Sequence, residues 1–410
     1  CRHGCRRSAP GRLLRLARGM KPFDLVLTYN WGAMDAVLAH SVFRDYLSLP
    51  ALIHHEDGFN QDEASRLKTS RNWFRRVALA RSAALVVPSR RLFALAAVAG
   101  ALANAPLAFT SSYTVALISR FLAGVCLAGV YPPAMKMAST WFRARRGVAV
   151  GTIVGALTVG KASPYLAQAI PGLDVAAITL GASLSALLAA VVVWMGYRDG
   201  PYEFPSRAFS WARVRDVVRE RRWRLATGGY LGHMAELYSF WTWIPSFLVA
   251  SDAARAARAA GPANARIATL IGFGVIAVGG IGCVWGGLVA DRIGRARLVT
   301  LAMAISGSCA LAIGFAWAQS WWLLAPLALV WGFFVIADSA QFSVLVTESV
   351  PAHTVGTALT LQVSIGFLLT TITIQLIPPL VSWLGWQWVF PILSIGPLLG
   401  ILSIRRLRAG

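Results

Sequence analysis

Beyond residue 90 the sequence repeats one pattern: about twenty apolar residues, then a short loop that carries arginine. A helix rises 1.5 Å per residue, so about 20 apolar residues cross a hydrocarbon layer of about 30 Å. No other feature narrows the fold as much. In lipid every backbone amide and carbonyl must be satisfied by the chain itself, which leaves helices or closed barrels. Ten helical spans are expected, at approximately 92–110, 113–133, 148–168, 174–195, 228–250, 268–289, 298–317, 320–343, 357–378 and 386–404. The composition points the same way. Only 14% of residues are charged, against about 25% in ordinary soluble domains.

The net charge of +22 is compatible with nucleic acid until the arginines are placed. They do not gather on one soluble face. Alternate loops between the spans hold twenty lysines and arginines on one side and three (Arg255, Arg258 and Arg266) on the other. That asymmetry is the positive-inside pattern, and it puts the basic loops in the cytoplasm. Tryptophans at span ends (Trp141, Trp321, Trp322, Trp383, Trp386 and Trp388) suit the membrane interface. Residues 196–226 form the longest polar connection, and Trp211, Val214, Val217 and Val218 among its arginines predict a helix on the inner surface.

Between the spans 268–289 and 298–317 lies Gly287-Leu288-Val289-Ala290-Asp291-Arg292-Ile293-Gly294-Arg295. Gly287 lets helices approach closely and Gly294 permits a tight turn. Asp291 is suited to cap a neighbouring helix start and to pair with an arginine. Gly287, Asp291, Arg292, Gly294 and Arg295 resemble the loop signature of the major facilitator superfamily, which joins the second and third helices of a six-helix half. The resemblance implies a cytoplasmic gating element. It also makes residues 227–410 a complete carboxyl-terminal half of six helices, and 90–195 an incomplete amino-terminal half of four. Arg90 and Arg91 would then be the tail of the matching amino-half loop, with the first two helices missing.

The resemblance places substrate near the midplane, among the first and fourth helices of each half. Ionisable groups within spans are costly and mark function by default. Arg120, in Ser119-Arg120-Phe121-Leu122-Ala123-Gly124, resembles the superfamily's fourth-helix arginine motif, associated with proton coupling or anionic substrates; an arginine paired with an absent helix is the other reading. Lys161 either neutralises an anion or snorkels outward. His233 and Glu236 stand i, i+3 on one helix, which suggests a proton acceptor and its partner; an interfacial structural role is the alternative. Asp338, with Ser339 and Gln341, either carries a proton or contacts substrate, with an inter-helix hydrogen bond as the other reading. Tyr238, Trp241 and Trp243 either line the cavity or, the more ordinary reading, are packing. Gly151-x-x-x-Gly155 fits close helix packing.

Residues 1–91 have a different texture. Residues 2–21 carry seven basic residues and no acid, and are expected to be poorly ordered. Strands are expected at Asp24 to Tyr29, Ala51 to His55 and Ala84 to Val87, with helices at Met34 to Tyr46 and Arg66 to Arg81. His54-His55-Glu56-Asp57-Gly58-Phe59 follows the second strand, at the end of a parallel sheet where ligands bind. Together with Arg71-Asn72-Trp73-Phe74-Arg75-Arg76 and Val86-Val87-Pro88-Ser89, this region resembles the amino-terminal half of a family 4 glycosyltransferase. The second, nucleotide-sugar domain of that family has no counterpart here. Cys1 and Cys5 lack a second ligand pair, so no metal is expected.

The sequence therefore predicts an all-α polytopic membrane protein of about ten transmembrane helices, major facilitator-like, preceded by a partial α/β Rossmann-like fragment in residues 1–89. A first residue other than Met, and two parts each cut short near Ser89, suggest a fragment, a misassembled chain or a gene fusion. The expected function is secondary active transport of a small solute, an organic anion by the cavity cations Arg120, Lys161 and His233, coupled to protons and impaired by the missing helices. The competing reading is an inactive membrane-anchored glycosyltransferase. No catalytic residue, cofactor or nucleic acid is implied. The expected partners are the solute and the bilayer, with the protein a multi-pass monomer of the cell inner membrane and both ends of its membrane domain cytoplasmic.

Overall fold

A computed structural model describes residues 10–29, 33–55, 78, 84–86, 89–142, 146–198, 200–201, 211–259, 262–351 and 354–409. The chain divides into two compact units.

The first unit comprises Cys1–Ala99, Val125–Pro133 and Leu187–Tyr197. Its sheet has three parallel strands in the order β1 (Leu25–Tyr29), β2 (Ala51–His55), β3 (Ala84–Val86). Val26 is opposite Leu52 and Thr28 is opposite His54, whose Nδ1 lies 2.9 Å from the Thr28 hydroxyl. Helix α1 (Pro10–Met20) precedes β1, and α2 (Met34–Leu47) follows it. The expectation of poorly ordered chain over residues 2–21 fails at α1. Leu13, Leu16, Ala17 and Met20 recur at helical spacing and pack with Ala39 and Leu49. The intervening arginines hid that stripe in the sequence, and Arg12 pairs with Asp35 at 3.4 Å. The strand expectations hold for β2 and, one residue shorter, for β1; β3 covers Ala84 to Val86, and Val87 lies outside the described residues. Glu56 to Phe59, the segment Arg71 to Arg76, Cys1 and Cys5 lie outside the described residues, as does the expected helix at Arg66 to Arg81 apart from Ala78.

The remaining helices are α3 (Ser89–Asn104), α4 (Tyr113–Ala128), α5 (Tyr131–Ser139), α6 (Arg146–Gln168), α7 (Val175–Gly196), α8 (Trp211–Arg219), α9 (Arg221–Arg258), α10 (Ala265–Ile293), α11 (Arg295–Ala312), α12 (Trp321–Ala337), α13 (Ser339–Glu348), α14 (Val355–Val389) and α15 (Ile395–Ala409). Among the described residues seven helical stretches, not ten, are long and apolar enough to cross a membrane. Two causes account for the difference. The stretch Val355–Arg408 runs through two expected spans with a break at Gly385, where φ is +70°. In addition, α6 and α9 are absent from the seven; they occupy expected spans but carry Lys161 and the His233–Glu236 pair respectively.

The second unit comprises Gly100–Gly124, Ala134–Ala186 and Arg198–Gly410. Lipid tails are as apolar as leucine, so close van der Waals fit rather than water exclusion holds membrane helices together. Glycine supplies that fit here. A Cβ on Gly151 would lie 2.6 Å from the Cys283 carbonyl oxygen, and one on Gly155 2.8 Å from that of Gly280, so α6 lies backbone to backbone on α10. The other side of α10 meets α12 as closely, with Gly286 against the Ala337 carbonyl. Side chains cap the helix starts: Asn264 accepts the Ile267 amide at 3.1 Å and Ser320 the Trp322 amide at 3.3 Å. Val217 of α8 is buried with Trp223, Met234 and Phe342, so the polar connection expected to lie on the membrane surface also docks on the bundle; the Trp211 side chain lies outside the described residues.

Candidate functional site

The polar centre of the second unit is set by a break in one helix. Helix α12 stops at Ala337 and α13 starts at Ser339, with Asp338 between them. Interrupted helices are where membrane proteins free backbone groups and place charges for ions and substrates. Asp338 Oδ1 lies 3.0 Å from His233 Nδ1 of α9, with both side chains no more than 2% exposed. The approach is a close contact and not a formed hydrogen bond, since His233 Nε2 and both carboxylate oxygens of Asp338 are buried without a hydrogen-bond partner among the described residues. Phe342 lies against the imidazole, ring centroids 5.1 Å apart.

One turn along α9, Glu236 is 1% exposed. Its Oε1 accepts the Trp331 indole N–H at 2.9 Å and its Oε2 accepts the Ser306 hydroxyl at 2.9 Å. The sequence paired His233 with Glu236; the structure pairs each with other helices. Residues i and i+3 share a face, but the groups across from that face choose the partner. Neither Trp331 nor Ser306 carried a signal in the sequence, because an indole and a hydroxyl are ordinary residues of a membrane helix. Gln341 Nε2 and both amide atoms of Gln362 are also buried without partners among the described residues. Tyr238, Trp241 and Trp243 pack: Tyr238 lies on Trp241 and Phe367, and Trp243 donates to the Ile374 carbonyl at 3.0 Å.

In the amino-terminal part of the same unit, Arg120 and Lys161 are exposed. Arg120 Nη1 donates to Asn104 Oδ1 at 3.1 Å. The Asn104 amide nitrogen donates to the Thr179 carbonyl at 3.2 Å and the Ser183 hydroxyl at 3.0 Å. Those two acceptors fix which way the amide faces, so its oxygen is turned to the arginine. Asn104 was missed in the sequence because it falls near the end of an apolar run, where a lone polar residue reads as a cap.

The loop signature forms a tight turn whose charges pair differently from the expectation. Gly294 has φ +89°, between α10 and α11, and a Cβ on Gly287 would lie 2.9 Å from the Gly147 carbonyl oxygen. Arg295 is 3.9 Å from Asp291 but 3.1 Å from Glu348 at the end of α13. The expected aspartate–arginine pair is therefore the longer of the two contacts, because Glu348 reaches across from another helix. Arg292 and Asp291 are exposed. Away from the spans, Asp252 accepts Arg255 at 2.6 Å and the Asn264 amide at 2.7 Å. Burial opposes its charge, and these donors overcome that and hold its carboxyl below the ordinary value.

The chain was compared with known proteins. The sequence profile of the Major Facilitator Superfamily matches residues 82–373, a little ahead of the seam expected at Ser89. No curated protein matches. Among solved structures, a Major Facilitator Superfamily transporter, FucP, in the outward conformation aligns over 78% of this chain and 83% of its own, at 14% identity and a TM-score of 0.57. A structure of the E. coli fucose:proton symporter FucP aligns over 78% and 84%, at 14% identity and a TM-score of 0.56. At that identity the likeness shows the fold. With most of its length covered by the profile, its apolar helices and its loop signature, this multi-pass membrane protein belongs to the Major Facilitator Superfamily, a family of transporters and not of enzymes.

Proposed function

We propose that the chain is a proton-coupled secondary transporter of a small organic anion, working by alternating access. The observation that carries the proposal is the buried His233–Asp338 pair beside Glu236 at the α12–α13 break. A carboxyl held by two neutral donors can keep its place while it gains or loses a proton, and an imidazole with one free nitrogen can pass one on. A matched structure is that of a fucose:proton symporter, which favours proton over sodium coupling. Arg120 and Lys161 supply the positive wall for the anion, with Arg120 oriented by Asn104. Gln341 and Gln362 offer unpaired donors and acceptors to the same solute or to water.

In this reading ten helices cross the membrane, four in residues 90–195 and six in 227–410, joined by a cytoplasmic linker at 196–226. Helices α6 and α9 are the polar members that line the path. Gly287, Asp291, Arg292, Gly294 and Arg295, together with Glu348, form the inner gate. The protein is a monomer of the cell inner membrane, with both ends of the membrane domain cytoplasmic. Nothing in the described residues or the comparisons favours the glycosyltransferase alternative.

The test is a proteoliposome assay with a pH-sensitive dye inside. A panel of mono- and dicarboxylates and a panel of neutral sugars are added outside. At least one carboxylate should drive proton entry, and Glu236→Gln or Asp338→Asn should abolish it. Solute uptake without proton movement would remove the coupling. A response to neutral sugars alone would remove the anion.

A further inference from the structure

Four helix ends meet around a cavity of about 300 Å³ at the basic face of the carboxyl half. Arg222 from the start of α9 and Arg408 from the end of α15 line it, with Glu348 and Ser349 from the end of α13. Leu345 and Leu407 supply an apolar wall. The side chains of Arg222 and Arg408 have no hydrogen-bond or ion-pair partner among the described residues. The one carboxylate in the lining is already engaged, since Glu348 holds Arg295 at 3.1 Å. Arg295 Nε is itself buried and unpartnered.

The lining therefore has two guanidinium groups to one carboxylate, and both guanidinium groups keep all their donors. Guanidinium forks match the paired oxygens of phosphate, and Arg222 and Arg408 line one cavity, where both can reach a single ligand. A leucine wall beside such a pair suits a ligand that is polar at one end and apolar at the other. In the proposed orientation this face lies at the inner leaflet, where basic pockets between helices meet phosphorylated headgroups.

We propose that this cavity binds a phosphate group, carried by a phospholipid of the inner leaflet or by a soluble phosphate ester. The lipid source rests on the proposed orientation; the binding itself needs neither that orientation nor transport. Occupancy places a charge beside Arg295, and so bears on the Arg295–Glu348 contact.

The experiment uses the full chain in mixed micelles and reads its melting temperature. The probes are dioctanoyl phosphatidylglycerol, dioctanoyl phosphatidylcholine and inorganic phosphate. A saturable rise with at least one probe is expected. The paired variant Arg222→Gln with Arg408→Gln should raise the half-saturation concentration about tenfold or more. The neighbouring pair Arg405→Gln with Arg406→Gln should leave it unchanged. A response to phosphatidylglycerol without inorganic phosphate assigns the site to lipid, and the reverse assigns it to a soluble ester. No saturable rise with any probe, or an equal loss in both pairs, overturns the proposal. If the first pair aggregates, Arg408→Lys keeps the charge and loses the fork; unchanged half-saturation in that variant overturns it too.

Discussion

Trp331 holds Glu236 through a single indole N–H, and the pairing of these two residues shows what one side chain can decide. Trp331→Phe removes the donor and leaves a buried carboxyl oxygen unsatisfied, a loss of about 1–3 kcal/mol. Thermal unfolding in detergent should show a lowered midpoint, and Glu236→Gln, whose oxygen can still accept from Trp331 while its NH2 donates to the Ser306 hydroxyl oxygen, should lose less. Asp252 gives a pH prediction away from the membrane. Its folded carboxyl titrates below its ordinary value of 3.8, so its contribution to stability is complete above that pH. The contribution is lost as pH falls from about 4 through the lower folded value. Asp252→Asn should flatten the acid limb of a melting-temperature profile; an unchanged limb would show that other carboxylates set it. At this scale the sequence revealed charges but not pairs. His233, Glu236 and Asp338 stand out because apolar runs rarely contain such groups. Ser306, Trp331 and Asn104 do not stand out, and they decide how the charged groups are held.

At the scale of elements, helix contacts depend on glycines whose partners are backbone. Gly286 lies against the Ala337 carbonyl with no room for a Cβ, so Gly286→Val should push α10 from α12. Overpacking of this kind costs about 1–3 kcal/mol, and size-exclusion chromatography of the detergent-solubilised variant should show lost monodispersity. Gly294 is limited by conformation and not by space: φ is +89° and nothing lies near a Cβ there. Gly294→Ala should cost about 1–3 kcal/mol in backbone strain, and the same midpoint measurement checks it. The Gly151-x-x-x-Gly155 pattern was legible as a packing face. That it packs on Gly280 and Cys283 was not, because a small-residue stripe says how near a partner comes and not which partner it is. The helix Pro10–Met20 failed to show for a related reason, with an apolar stripe of four residues masked by three arginines.

For the whole molecule, the alternation of basic and neutral loops makes a topological prediction. In a version with Cys1, Cys5, Cys126, Cys283 and Cys309 all replaced by alanine, a single cysteine at Arg258→Cys should react with a membrane-impermeant maleimide added to intact cells. One at Arg297→Cys should react only after the cells are opened. The opposite pattern would invert the proposed orientation. The chain by itself determined that it is a polytopic helical membrane protein with a charged loop of superfamily type. Lipid forces that outcome, since a backbone without water must close its own hydrogen bonds and a long apolar run has only one way to do so. Only the tertiary structure decided that His233 meets Asp338, that Glu236 meets Trp331 and Ser306, and that Arg295 prefers Glu348 to Asp291. Those pairings depend on the rotation and depth at which one helix faces another. Rotation and depth are set by close packing among glycines and aromatics scattered over more than a hundred residues, which no local pattern records.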